Sequence, residues 1–105
     1  MNITELTRKI EVWAIDRNLQ NVDSKAQISK LTEEIGELAS GVNKSNKEVV
    51  KDSIGDAYVV LTILAMQQKV DVRDCIDIAY QEIKDRKGKM VDGVFVKESD
   101  LKVRP

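Results

Sequence analysis

The sequence has no histidine, one cysteine, and a single proline that is also its last residue. Without histidine there is no imidazole nucleophile activation, no histidine acid–base chemistry and no histidine-ligated zinc. Cys75 alone makes neither an internal disulfide nor a cysteine-rich metal cage. Neither sign of charge is in marked excess. Seventeen Lys plus Arg oppose eighteen Asp plus Glu, for a net charge of -1, which speaks against capture of nucleic acid by bulk electrostatics. Residues 1–19 mix charges throughout and lack the apolar core of a secretory signal, so a cytoplasmic location is expected. What remains for chemistry is carboxylates, Lys/Arg, hydroxyls or a bound metal. The 105 residues, 42% hydrophobic and 33% charged, have room for one small domain, read here as residues 1–105.

With five glycines and no internal proline, long stretches lack breakers and favour helices. Residues 3–18 place Leu6, Ile10, Trp13, Ala14 and Arg17 on one stripe, with Asn2 as N-cap. Ser24 and Gln27 have capping-box spacing and open a second helix over 25–42, with the stripe Ile28, Leu31, Ile35, Leu38 and Val42. Ser45 and Glu48 suggest another box ahead of a third helix over 47–68. Within it, only Thr62 is not apolar between residues 57 and 66. A helix apolar all round must be covered all round, and this one is too short for a bilayer. The segment therefore predicts a homo-oligomer, a homodimer or homotetramer. A fourth helix over 72–86, capped by Asp71, carries Cys75, Ile78, Ala79 and Ile83, with Cys75 read as a small buried apolar residue. Asp92-Gly93 between short β-prone runs signals a hairpin. The expected fold is all-α, four helices with a short C-terminal β-hairpin or extended tail.

Carboxylates stand where the core should be. Glu34 lies between Leu31 and Leu38 on an inward stripe, with Glu33 and Glu37 as its helix neighbours. On the third helix Asp52 and Asp56 are four apart, and Asp56 precedes Val59, Val60 and Ile63 on one face. A carboxylate entering an apolar stripe costs several kcal/mol unless its charge is compensated. Lys30 and Lys51 are the nearest cations, but both sit off the stripes. Inward acids on facing helices repel one another unless a cation lies between them, as in carboxylate-bridged helix bundles. An oxygen-only donor set selects a hard cation, Mg²⁺ first and Mn²⁺ second.

These residues resemble a family. Lys30-Leu31-Thr32-Glu33-Glu34-Ile35-Gly36-Glu37-Leu38, followed by Asp52-Ser53-Ile54-Gly55-Asp56, is similar to the MazG-like nucleoside triphosphate pyrophosphohydrolases of the all-α NTP pyrophosphatase superfamily. Their signature is Glu-Glu-x-x-Glu with a later Glu-x-x-Asp. The ending from Glu82 to Val96 also resembles small phage and bacterial members, so the likeness runs from about Trp13 to Leu101. It implies Glu34, Glu37 and Asp56 as metal ligands, and Glu33 as a ligand or as the catalytic, water-activating base. One position departs: the second motif would put Glu at 53, where this chain has Ser53. Either Asp52, on the face of Asp56, supplies that oxygen instead, or the site has one ligand fewer, with weaker metal binding.

Other residues carry two readings each. Trp13 is either core or the wall of a nucleobase pocket. Lys84, Arg86, Lys87 and Lys89 either complement a helix dipole or contact a triphosphate, and Lys30 is a further phosphate candidate. The reaction implied by the resemblance is Mg²⁺-dependent hydrolysis of a nucleoside triphosphate, NTP or dNTP, to monophosphate and pyrophosphate, in the manner of nucleotide-pool house-cleaning. The rival expectation is a noncatalytic helical module that oligomerises and binds a nucleotide or a protein partner. Neither a membrane nor a nucleic acid is expected as partner.

Overall fold

The structure, a computed structural model, describes residues 1–101 and is mostly helical. The elements are α1 (Ile3–Asp16), a 3₁₀ turn (Leu19–Asn21), α2 (Lys25–Asn43), α3 (Lys47–Gln67), α4 (Val72–Ile83), β1 (Gly88–Val91), β2 (Val94–Lys97) and α5 (Glu98–Leu101). The described residues divide into two compact units, 1–72 and 73–101. None of the described helices is long and apolar enough to cross a membrane.

In the first unit α1 starts as expected, with the Asn2 side chain accepting from the Glu5 N–H at 2.9 Å. It stops earlier than its stripe suggests. Asn18 turns left-handed at φ 58°, and the 3₁₀ turn follows. Neither expected capping box forms. The Ser24 hydroxyl donates instead to Gln67 Oε1 (2.9 Å) and accepts from Gln68 (2.8 Å), while Asp23 accepts from the Lys25 N–H at 2.8 Å. Ser45 is left-handed at φ 53°, and Asn46 accepts from the Val49 N–H at 3.3 Å in its place. Glu48 pairs across the surface with Lys51 at 3.8 Å.

Helices α2 and α3 form the main antiparallel pair. Covered residues recur at alternating three and four along both: Ser24, Gln27, Leu31, Glu34, Leu38 and Gly41 on α2, and Val50, Ser53, Ala57, Val60, Leu64 and Gln67 on α3. This is a heptad seam. Both ends of the pair fix its register. Ser24 bonds Gln67 at one end, and at the other a Cβ on Gly41 would lie 2.9 Å from Val49 Cγ1 and 3.3 Å from Val50 Cγ2. Counting inward, Leu31 stands level with Val60, Glu34 with Ala57, and Leu38 with Ser53.

The α2 stripe read from the sequence is therefore rotated. Leu31 and Leu38 are half-buried, but Ile28, Ile35 and Val42 follow the seam and are exposed, as are Ile54 and Leu61 on α3. The apolar run 57–66 is also better covered than expected. α1, the 3₁₀ turn and α2 all pack on α3, and in that run only Leu61 stays exposed, at 45%. Val60 (1%), Ile63 and Ala14 form the core. Buried hydroxyls are satisfied locally: Thr62 donates to the Tyr58 carbonyl at 2.9 Å. Thr7 donates to the Ile3 carbonyl at 2.7 Å, which leaves Tyr58 Oη to donate to Thr7 across 2.6 Å.

In the second unit α4 ends at Ile83 instead of residue 86. Cys75 is exposed rather than buried, as are Ile78 and Ile83 of its stripe. The hairpin forms as expected and pairs Val91 with Val94 and Met90 with Phe95. Asp92 (φ 51°) and Gly93 (φ 81°) make the left-handed two-residue turn that matches strand twist. Gly88 cannot be replaced without movement, because a Cβ there would collide with the Val96 carbonyl. The short α5, absent from the sequence-based expectation, packs on both strands.

Candidate functional site: an acid-lined cavity beside Trp13

Where the α2–α3 seam pairs Glu34 with the methyl side chain of Ala57, a cavity of about 310 Å³ opens on the flank that α1 covers. Trp13 from α1 and Leu19 from the 3₁₀ turn form one wall. Gln27, Lys30 and Glu34 come from α2, and Asp56 with Val59, Val60 and Ile63 from α3. Two expected ligands, a phosphate candidate and the tryptophan thus meet in one hollow.

Glu34 is the unusual group. Its Oε2 is buried and has no hydrogen-bond partner. Burial pushes its carboxyl above the ordinary glutamate range, and the charges of Glu37 and Asp56 push it further. Lys30 pulls it back, and Asp52 adds a smaller upward push. Among the described residues neither Glu34 nor Asp56 has an ion-pair partner, and Lys51, the other cation near Asp56 in sequence, pairs with Glu48.

The remaining acids lie elsewhere. Glu33, Glu37 and Asp52 are exposed and do not line the cavity. Among the described residues no three acids stand close enough together to hold a metal ion between them. Ser53, at the departing motif position, is 1% exposed and faces the seam level with Leu38. A glutamate there would have to enter that seam. Lys84, Arg86, Lys87 and Lys89 are exposed residues of the second unit.

Trp13 is 46% exposed and neither plain core nor plain surface. It also walls a second, apolar hollow of about 330 Å³ with Leu6, Lys9, Ile10 and Val59. Arg17 was read from the sequence only as a stripe member. Its guanidinium in fact lies 4.0 Å from the centroid of the Trp13 ring, and it donates to the Trp13 carbonyl at 3.0 Å. The signal was the Trp–Arg spacing of four on one helix.

Compared with known proteins, the chain matches no protein-family model and no solved structure. It is similar to a protein of Haemophilus phage HP1 described as an uncharacterized 18.2 kDa protein in the rep-hol intergenic region, at 49% identity over 71 residues. The match covers 67% of this chain and 44% of that protein, so the chain spans less than half the length of its relative.

Proposed function

We propose that the cavity binds the phosphates of a nucleoside triphosphate through a hard cation, and that the protein hydrolyses an NTP or dNTP to monophosphate and pyrophosphate. The observation that carries this reading is the buried, partnerless Glu34 oxygen on a cavity wall shared with Asp56. A buried carboxylate without a donor is costly, and a cation is the partner this donor set fits. Two carboxylates suit Mg²⁺, which keeps several waters and is commonly held by one or two carboxylates plus substrate phosphates. Mn²⁺ shares the preference for oxygen.

In this reading Glu34 and Asp56 hold the cation, while Glu37 and Asp52 supply negative potential from outside the cavity. When bound, the cation would lower the pKa of a coordinated water and stabilise charge on the phosphates. Lys30, on the same wall, would neutralise phosphate oxygens as a point charge. The apolar hollow across Trp13 would take the base. Glu33 is kept as water-activating base on sequence grounds alone, since its side chain is exposed. Lys84, Arg86, Lys87 and Lys89 keep both their readings, and the cavity does not depend on them.

The same proposal includes the four-helix MazG-like bundle, its self-association and a cytoplasmic setting. Support for self-association moves from the 57–66 run to the exposed flank of Ile28, Ile35, Val42, Ile54 and Leu61. Burying each such side chain is worth about 1.5–3 kcal/mol, so a second copy of the chain is the natural cover.

A second reading, a noncatalytic module that binds a nucleotide or a protein partner, is favoured by the count of acids in the cavity: Glu34 and Asp56 alone. Incubation with a panel of NTPs and dNTPs plus Mg²⁺, with products resolved by chromatography, separates the two. Pyrophosphate with monophosphate is the expected result. Orthophosphate release contradicts the reaction class, and nucleotide binding without turnover selects the second reading.

A further inference from the structure

We infer that Arg17 is a positioning residue that holds the Trp13 ring as the common wall of the acid-lined cavity and the apolar hollow. Trp13 and Val59 are the residues shared by the two linings, and Trp13 is the one that reaches them from α1. A half-exposed indole on a single helix would ordinarily sample several rotamers. One contact from Arg17 restrains this ring, and a second anchors the side chain that makes it. The guanidinium stacks on the ring at 4.0 Å, and the same group is tied to the backbone by its bond to the Trp13 carbonyl at 3.0 Å.

The anchor is itself well placed. Arg17 is the C-cap of α1, where its own N–H donates to the Ala14 carbonyl, the next N–H, of Asn18, donates to that of Ile15, and a cation suits the helix dipole. With one ring face taken by Arg17, a flat ligand in the apolar hollow has only the remaining surface of the indole to meet. Arg17 thereby sets the orientation in which a base is received while touching neither phosphate nor metal. The ligand side of this inference rests on the nucleotide reading above; the restraint on Trp13 does not.

Trp13 is the sole tryptophan, so its fluorescence reports on this ring alone. Acrylamide quenching of the metal-free, ligand-free protein is compared for wild type, Arg17→Ala and Arg17→Lys. Faster quenching and a shifted emission maximum are expected for Arg17→Ala, with partial return in Arg17→Lys, which keeps the cation but not the planar fork. With Mg²⁺ and a nucleoside triphosphate, Arg17→Ala should raise KM about two- to fivefold, matching an exposed cation–π pair, with kcat unchanged. A purely structural role would lower the melting temperature without that split. Where Arg17→Ala fails to fold, Arg17→Lys serves for both measurements. Identical quenching of the variants and wild type overturns the inference, as does a fall in kcat with KM unchanged. A wild type that neither binds nor turns over any nucleotide refutes the nucleotide reading, and the quenching comparison still decides the role of Arg17.

Discussion

Two alanine substitutions on α2 test the seam that positions Glu34. A Cβ on Gly41 would lie 2.9 Å from Val49 Cγ1, 3.2 Å from Val49 Cβ and 3.3 Å from Val50 Cγ2, whereas a Cβ on Gly36 meets nothing within 4 Å. Carbon atoms pack best at about 3.5–4.0 Å, so Gly41→Ala must push the helices apart by roughly half an ångström or turn Val49. Overpacking of this kind costs about 1–3 kcal/mol. Both substitutions gain about 0.8–1.0 kcal/mol from helix propensity. Gly36→Ala should therefore stabilise by about 1 kcal/mol, raising Tm by roughly 4–8 °C for a domain of this size. Gly41→Ala should lose about 0–2 kcal/mol net by the same balance. Urea and thermal unfolding of both variants measure the gap. Val49→Ala in the Gly41→Ala background should recover most of the loss, because neighbours couple. Equal stabilisation by Gly36→Ala and Gly41→Ala would refute the close approach, and with it the register that sets Glu34 beside Asp56.

Glu34→Gln should flatten one part of the pH profile. Folding raises the Glu34 pKa, so the stability it contributes is complete below the ordinary glutamate range and is lost as pH rises toward the raised value. Metal-free Glu34→Gln should thus match or exceed wild type at neutral pH in thermal melts, and a clear loss there would contradict the assignment. Tyr58→Phe removes the hydrogen bond into Thr7 and should cost about 0.5–1.5 kcal/mol in urea unfolding, with no change counting against that bond. Ile35→Asp and Leu61→Asp lie on the exposed flank, so sedimentation should show dissociation while circular dichroism keeps the helical signal. A wild-type monomer at low micromolar concentration would reject self-association through this flank.

Helix positions and the hairpin were legible because they depend on local rules: the Asn2 cap, the absence of breakers and the Asp92-Gly93 turn. Which face of α2 turns inward was harder to read. Its seam contains Ser24, Gln27, Glu34 and Gly41, so the apolar count favours Ile28, Ile35 and Val42, and tertiary pairing overrides that count. The serine boxes failed for a related reason, since Ser24 is recruited by Gln67 and Gln68 more than forty residues away. Glu34 and Asp56 could be picked out by their spacing to Leu31, Leu38 and Val60. Spacing alone could not tell them from Glu33, Glu37 and Asp52, which share the helices but not the cavity. The contact of Arg17 with Trp13 escaped although the two stand four apart on one helix, because that spacing sets two residues on one face without saying whether their side chains stack.

The central claim is that Glu34 and Asp56 together hold a cation. Thermal melts of wild type and Asp56→Asn, each with Mg²⁺ and with EDTA, test it most directly. Removing one of two like charges at nearly constant shape should leave the metal-free variant at least as stable as wild type. Its melting temperature should respond less to Mg²⁺, because stabilisation by a ligand requires binding to the folded state. A loss of about 3–5 kcal/mol in EDTA would instead mark Asp56 as a buried partner of a protein cation such as Lys30. That result, or an undiminished response to Mg²⁺, would contradict the metal site.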